Sequence, residues 1–448
     1  MDDILAARSQ MAMSLAFHII FAAIGIAMPL LMVIAEWRYL RTKDDLYLTL
    51  AKRWAKGTAI LFAVGAVSGT VLSFELGLLF PKFMAHAGAI IGMPFSLEGF
   101  AFFTEAIFLG IYLYGWERIS PRMHLFAGAV VAASGAASAV FVVIANAWMN
   151  TPTGFRLEGG QMVDIDPVAA MMNPNAFAQV THMILAAYAA TGFTVAGIHA
   201  FMLRRDPQNR FHRIALAIAL AVGGVTAVLQ PLSGDILAKA VARNQPIKLA
   251  AMEGQFETQA GAGLRIGGIP DEERRETVYD IEIPYALSIL AYGDPHATVK
   301  GLNDFPKEEH PPVAIVHFAF QIMVGCGMLM MALAAWALWR FWRNRKAEAG
   351  AWTNSKWFLR AIIASAPLGF IAIETGWVVT EVGRQPWIIY GVMRTADAVT
   401  PMPGLVVPFI TFTLLYIFLS IVTAWLLLRQ VAASPKESQV PEVPSPKS

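Results

Sequence analysis

Three features of the sequence predict an all-α, polytopic membrane protein with about nine transmembrane helices. Apolar residues fill 56% of its 448 positions and charged residues only 15%, with a mean hydropathy of +0.54, whereas water-soluble domains carry about a quarter charged residues. Nine apolar runs are each long enough to cross a bilayer, which takes about 20 residues of helix. The shorter connections and the chain ends alternate in charge, with 21 Lys and Arg on one side against five on the other. The positive side faces the cytoplasm. The N-terminus is therefore expected to be periplasmic and the C-terminus cytoplasmic.

The first run, 12–35, contains His18. No charged leader with a cleavage site precedes it, so it reads as a retained helix. The second, 56–80, contains Glu75, and the third, 95–115, contains Glu98 and Glu105. Those two glutamates are two helical turns apart and share a face. The fourth run, 124–147, follows a short arginine-bearing connection. The fifth, 178–203, contains His182 and His199 and is joined to the sixth, 212–233, by a basic connection. Residues 234–311 form one long outer connection, polar and rich in Gly and Pro, with the charged string DEERRE at 271–276. A connection of that length is usually functional or unstructured. The seventh run, 312–340, contains His317 and Met323; the eighth, 357–382, contains Glu374; the ninth is 404–428. The expected organisation is helices one to six within 1–233, the outer loop 234–311, helices seven to nine within 312–430, and a disordered cytoplasmic tail 431–448.

Ionisable groups inside lipid-spanning helices are costly and mark function by default. His18, Glu105, His182, Met323 and Glu374 each lie about 8–16 Å from the outer end of their run, at 1.5 Å per residue. A common depth shared by five helices defines a site. Glu98 and Glu105 together suit proton relay or metal ligation, against the ordinary reading of a hydrogen-bonded acid pair. His199, in the inner half with no partner in view, is assigned to packing; His317 fits either role. The single cysteine, Cys326, excludes disulfides and thiolate clusters and reads as a small buried apolar residue. The formal charge of +2 and the lack of a basic run give no sign of nucleic acid.

Histidine, methionine and glutamate without thiolates suit heme iron. His and Met are an axial pair for a low-spin heme, and a single protein ligand leaves iron open to oxygen. There is no CxxCH string for thioether attachment, and too few intramembrane histidines for a heme–copper centre. Two other readings fit the same residues. An ion-coupled transporter also uses intramembrane acids, although such proteins show repeated halves, discontinuous helices and a midplane site. A di-heme electron carrier would use His182 and Met323 and leave His18, Glu374 and the glutamate pair idle.

Nine residues past Glu374 stands GRQPW, Gly383 to Trp387. Gly and Pro are ordinary helix stops, and Arg and Trp are ordinary at a membrane surface. With this string, FHIIF, EGFAFFTE, GWER, ANAWM, KLAAMEGQFETQ, FAFQIMVGCG and IETGWVVTEVGRQPW, nearly the whole chain resembles subunit I of cytochrome bd-type quinol oxidases. The resemblance implies a quinol:oxygen oxidoreductase of the bacterial inner membrane that reduces O₂ to water without pumping protons. It implies that His182 and Met323 are the axial pair of a low-spin heme b. His18 and Glu374 would jointly serve a high-spin heme b and a heme d, or a heme b in place of the heme d. Glu98 and Glu105 would neighbour that pair as ligand or proton relay. Lys56, Glu117 and Ser138, with Ser134, match a cytoplasmic proton path, and Lys248 and Glu253 would bind and deprotonate quinol. Arg384, flanked by Gln385 and Trp387, would pair with heme propionates.

Three departures point to the short-loop branch, often described as cyanide-insensitive. Gln321 stands two residues before Met323 where the long-loop branch has an arginine, which should lower the potential of that heme. Phe370 stands in place of a tryptophan, and no insertion follows about Asn303. The implied partners are a second large membrane subunit, a small single-span subunit, quinol, O₂ and membrane lipid.

Overall fold

The computed structural model describes residues 2–347, 350–433 and 435. The chain opens with four long helices, α1 (Asp3–Thr42), α2 (Asp45–Leu79), α3 (Pro81–Tyr114) and α4 (Pro121–Asn150). A small hairpin, β1 (Arg156–Glu158) with β2 (Gln161–Val163), and the short α5 (Pro167–Met171) lead into α6 (Ala176–Arg205) and α7 (Arg210–Asn244). The long connection then contains α8 (Pro246–Glu253), β3 (Gln259–Ala260), β4 (Leu264–Asp271), β5 (Glu276–Ile283), α9 (Ala286–Tyr292) and β6 (Thr298–Val299). It is followed by α10 (Val313–Arg343), α11 (Lys356–Ser365) and α12 (Leu368–Val382). A last hairpin, β7 (Trp387–Ile389) with β8 (Met393–Arg394), and α13 (Thr395–Ala398) precede α14 (Val406–Ala432). Among the described residues nine spans are long and apolar enough to cross a membrane, α11 and α12 together making the eighth. The chain is a multi-pass helical membrane protein.

The helices outrun the apolar strings because their ends are capped or paired. Asp2 accepts a 2.6 Å hydrogen bond from Leu5 N at the start of α1, as an N-cap should. α7 continues past the expected limit of 233 to Asn244, helped by the Lys239–Asp235 pair at 2.6 Å, one turn apart. Likewise α14 reaches Ala432, into the segment expected to be a disordered tail; the rest of that tail, except 433 and 435, lies outside the described residues.

The eighth span is broken where the sequence reads as continuous. Pro367 lacks an N–H and its ring crowds the preceding turn, so the helix stops and restarts. The carbonyl of Ala366 is satisfied from outside the helix, by Thr194 Oγ1 on α6 donating at 2.6 Å. α12 can lie this close because a Cβ on Gly369 would come 2.3 Å from Ala190 Cα.

α1 is central, packing on α2, α4, α6 and α14, and neighbouring pairs form from α3 with α4, α6 with α7 and α10 with α12. The α6–α7 crossing is tight because Gly192 meets Gly223, where a Cβ would approach Gly223 Cα to 2.5 Å. The core at that end joins Leu31, Met32, Phe193, Leu216 and Phe358. His199 has a partner after all: its Nδ1 lies 2.9 Å from His212 Nδ1. A second buried polar pair, His124 Nδ1 to Glu36 Oε1 at 2.8 Å, joins α4 to α1. Glu36 falls within α1 because that helix runs on to Thr42, past the apolar string.

The connection between α7 and α10 is ordered and has its own apolar cluster, including Ile247, Leu249, Phe256, Leu287 and Leu302. Its β4–β5 hairpin turns at the DEERRE string, where Asp271 Oδ1 accepts from Glu273 N and Arg274 N. That side-chain turn explains why a charged string sits there, exposed at the tip.

Candidate functional site

Two histidines are held in the same way. His18 Nδ1 on α1 lies 3.0 Å from Ser68 Oγ on α2, and Ser68 donates to Val64 O in its own helix at 2.9 Å. The hydroxyl hydrogen is thus committed, so Nδ1–H of His18 donates to Ser68 and Nε2 keeps its lone pair. His182 Nδ1 on α6 lies 3.0 Å from Ser233 Oγ on α7, and Ser233 donates to Gln230 O at 2.9 Å. The Gln230 amide also lies 3.2 Å from His182 Nε2 and donates to His182 O at 3.1 Å. An imidazole anchored through Nδ1 is oriented to offer Nε2 as a metal ligand; on His182 the Gln230 amide occupies that side.

Met323 on α10 faces α12, and a Cβ on Gly376 would lie only 3.0 Å from its Sδ. Gly376 is the gap that admits the thioether. Two residues before it in the helix, Glu374 carries a buried Oε1 with no hydrogen-bond partner among the described residues, and Trp377 Nε1 is equally unpartnered. Phe370 and Trp377 pack with Ile19, Ala23 and Met183, next to the two histidines in sequence. The broken eighth span thus sets one face of α12 against α1 and α6.

Glu98 on α3 accepts a 3.1 Å hydrogen bond from Ser138 Oγ on α4. Glu105, 5% exposed, lays its carboxyl against Gly135, where a Cβ would stand 3.2 Å from both oxygens. Ser134 donates instead to Val130 O at 2.7 Å, so of the two serines it is Ser138 that bonds Glu98. Lys56, in the first half of α2, and Glu117, between α3 and α4, are exposed. Glu117 meets Lys52 at 3.9 Å, in a pair too exposed to contribute much. Lys52, one turn before Lys56, was not singled out by the sequence.

At the opposite end lies a buried polar network. Arg384, 2% exposed, pairs with Glu381 Oε2, while Asn146 Nδ2 donates to Glu381 Oε1 at 2.5 Å. Gln179 donates to Asn146 Oδ1 at 2.7 Å. Lys248 Nζ on α8 donates to Asn150 Oδ1 at 2.6 Å and to Thr380 O at 3.2 Å. Burial, then the like charge of Arg384, pulls the Lys248 ammonium well below the ordinary lysine range, against the pull of Glu381. Arg384 Nη1 remains buried without a partner. Gly383 is not in the left-handed region expected of a helix-stopping glycine. It is small for another reason: a Cβ would strike Val379 O at 2.3 Å and crowd Lys248 Cγ at 3.2 Å. Gln385 accepts from Arg8 Nη2 at 3.2 Å, and Trp387 lies under Arg394, 5.3 Å from the ring centre. The Gln385–Pro386 peptide is cis.

Glu253 ends α8 with 0% exposure and no partner for either oxygen. Burial raises its carboxyl to about 8, with Arg265 pulling the other way. Gln321 is turned toward the long connection, accepting from Gly267 N at 3.2 Å and donating to Arg265 O at 2.9 Å. His317 bridges Met252 O at 2.9 Å and Gly267 O at 3.0 Å. These two α10 residues tie α8 and β4 onto the membrane helices.

Ser68, Ser233, Asn150 and Glu381 were not singled out beforehand. Glu381 lies inside the IETGWVVTEVGRQPW string, and Asn146 and Asn150 lie in or beside ANAWM. The serines carry no signal in the sequence.

The donor set tests well against heme: two buried histidines held through Nδ1, a recessed thioether and, among the described residues, an unpaired carboxyl oxygen inside the helices and an unpaired guanidinium nitrogen at one end. These features suit a redox prosthetic group inside a helical membrane protein. The chain belongs to the cytochrome bd terminal oxidase subunit I family, which it matches over residues 6–435. It is 40% identical over 96% of both chains to a provisionally named cytochrome bd menaquinol oxidase subunit I from Bacillus subtilis (strain 168). It is 32% identical to a cytochrome bd ubiquinol oxidase subunit 1 of the same organism, covering 99% of this chain and 97% of the other. Its fold matches the solved bd oxidase from Geobacillus thermodenitrificans with a TM-score of 0.90 at 42% identity, covering 97% of this chain and 99% of that one.

Proposed function

We propose that this chain is the heme-bearing subunit of a quinol:oxygen oxidoreductase that reduces O₂ to water. The observation that carries the reading is the shared treatment of His18 and His182: each has Nδ1 held 3.0 Å from a serine hydroxyl of the neighbouring helix. His182 and Met323 would hold a low-spin heme b. His18 and Glu374 would jointly hold a high-spin heme b and a heme d, or a heme b in the place of heme d. When bound, these groups would carry single electrons and reduce oxygen. The chain's own residues do the rest. The buried Arg384 Nη1 offers a hydrogen bond to a propionate. Lys248 presents a donor that burial keeps weakly charged, suited to a quinol oxygen. Glu253, in its carboxylate form, accepts a quinol proton. Protons for water enter from the Lys- and Arg-rich face past Lys52, Lys56 and Glu117, and reach Glu98 and Glu105 beside Ser138.

That face is the cytoplasmic one under the charge rule, so the N-terminus and the 245–312 connection are periplasmic and the membrane is the bacterial inner membrane. Electrons and protons then arrive from opposite sides, and a charge difference builds without a pumped proton. A second large membrane subunit completes the enzyme, with a small single-span subunit beside it. The first test is a reduced-minus-oxidised and CO-difference spectrum of the purified complex, beside Met323→Leu. A low-spin b signal lost in the variant, with a far-red band that answers to CO, is the expected result. Absence of any heme signal overturns the reading in favour of an ion-coupled transporter.

A further inference from the structure

Glu36, His124 and Tyr112 are buried, ionisable and unused by the reading above. They meet where α1, α4 and α3 come together at the Lys- and Arg-rich end, and are 2%, 3% and 0% exposed. His124 Nε2 lies 2.9 Å from Tyr112 O, and its Nδ1 lies 2.8 Å from Glu36 Oε1. A carbonyl oxygen only accepts, so Nε2 carries a hydrogen. With that nitrogen committed, Nδ1 and Oε1 have to share one further proton. Imidazolium facing carboxylate makes the bond, and so does imidazole facing carboxylic acid. Without the proton, two lone pairs would face each other at 2.8 Å in a buried site. The pair is built to stay loaded.

A tie between two helices needs nothing more, yet two further atoms mark a path. Glu36 Oε2 and Tyr112 Oη are buried and make no hydrogen bond among the described residues, and Glu36 is within electrostatic reach of that hydroxyl. Tyr112 stands seven residues after Glu105 on α3, two turns on, and shares its face. α4 runs antiparallel beside them. A Cβ at Gly128 would stand 2.7 Å from Tyr112 Cε2, one at Gly135 stands 3.2 Å from the Glu105 carboxyl, and Ser138 bonds Glu98. The Tyr112 carbonyl is level with His124 and its ring with Gly128, one turn nearer Gly135. The side chain thus climbs from the pair toward Glu105, with the usual lean toward the helix N-terminus. The gap left to Glu105 is under two turns, about 10 Å, and is left for water to bridge. On the other side Trp116 roofs the pair, its ring centre 3.8 Å from that of His124. Lys52 Nζ lies 5.2 Å from the centre of the Trp116 ring and 3.9 Å from the exposed Glu117.

We propose that Glu36 and His124 form a proton-loading site on the inlet to Glu105, with Tyr112 as the next carrier. The proposal rests on the reading of this chain as an oxidase subunit that draws protons from its Lys- and Arg-rich face. In each transfer the shared proton passes to Glu36, whose carboxyl turns to present it to Tyr112 Oη. One O–H bond breaks at Glu36 and one forms at Tyr112, whose own phenolic hydrogen leaves on the far side toward Glu105. The emptied pair, imidazole against carboxylate, draws the next proton from the side of Lys52 and Glu117.

The test uses the complete purified complex, reduced and mixed with O₂ for a single turnover. Heme oxidation is read optically and proton uptake by a pH-indicating dye. Glu36→Gln keeps the shape and still donates to His124 Nδ1, but carries no acidic proton. Tyr112→Phe removes a hydroxyl that bonds to nothing among the described residues, so both variants should keep their melting temperature and heme content. Proton uptake and steady-state turnover are expected to fall about 10²-fold in each, the lower end of what a proton-transfer group contributes. Quinol KM should not change, and Glu36→Asp should recover part of the rate. Uptake at the parental rate in either variant overturns the proposal and leaves the pair a tie between helices. A loss that Glu36→Asp shares in full, together with a lower melting temperature and missing heme, overturns it in favour of a structural role. If Glu36→Gln fails to assemble, Tyr112→Phe decides alone. A parent complex without heme or quinol-driven oxygen uptake would instead sink the underlying oxidase reading, before any variant is compared.

Discussion

Ser68 Oγ stands 3.0 Å from His18 Nδ1 and spends its own hydrogen on Val64 O. Ser233 does the same for His182. The serine therefore acts as acceptor, and it fixes ring orientation and tautomer together. Ser233→Ala removes the acceptor, frees the ring to rotate and makes the imidazole a poorer electron donor. Loss of such an outer partner weakens metal binding about 10–100-fold. The expected outcome is lower retention of the low-spin heme and a higher midpoint potential in what remains, read by optical redox titration.

Lys248 Nζ depends on two neutral acceptors, Asn150 Oδ1 and Thr380 O. Asn150→Ala strips the shorter bond from a buried amine, a loss of about 1–3 kcal/mol for a buried group left unsatisfied. Thermal unfolding at pH 7 should show that cost. In a Lys248→Met background the same change should cost much less, because the group that needed the acceptor is gone.

The spans were legible because the bilayer imposes length and penalises charge, and both leave a mark on the sequence. Glu105, His182 and Met323 stood out as exceptions to an apolar background. Ser68 and Ser233 did not, since a serine in a membrane helix costs little and usually back-bonds to its own turn. The break at Pro367 was missed for a related reason: the apolar run passes through it, and the Thr194 hydroxyl that tolerates it comes from another helix. Gln321 could be compared only as a substitution beside Met323. Its work, pinning β4, depends on a connection whose path no local pattern shows.

Glu253 gives the complex a pH dependence whose sign follows from its burial. Its folded pKa, about 8, lies above the ordinary carboxyl value, so the folded state binds the proton more tightly. That stabilisation is complete below about pH 4 and is lost progressively as pH rises toward 8. Glu253→Gln cannot titrate, so its stability relative to the parent chain should grow from pH 5.5 to pH 8.5 and then level off. Thermal melts across that range check it. Over the same range quinol turnover of the parent should rise, because only the carboxylate accepts a proton.

In the proposed function Glu105, buried against Gly135, passes protons and takes no part in quinol binding. Glu105→Gln keeps the shape against Gly135 and removes the exchangeable proton. Turnover is expected to fall about 10²–10⁴-fold, the usual contribution of a proton-transfer group, with little change in quinol KM. An unchanged turnover number would remove Glu105 from the proton path.

Gly376 offers the sharpest separation of a structural role from a ligand role. A methyl group there would stand 3.0 Å from Met323 Sδ, closer than a carbon and a sulfur can rest. α12 is held by Gly369 against Ala190, and its carbonyl neighbour Ala366 by Thr194, so the thioether is the softer side and must move. Methionine has the freedom to do so at small cost. Gly376→Ala should therefore leave the melting temperature nearly unchanged while the low-spin heme spectrum shifts toward that of a heme with one protein ligand. Gly376→Ala combined with Met323→Leu should add nothing to the spectral change of Met323→Leu alone. A normal low-spin spectrum in Gly376→Ala would mean that Met323 reaches its site without this gap, and the pairing of Met323 with His182 would lose its support.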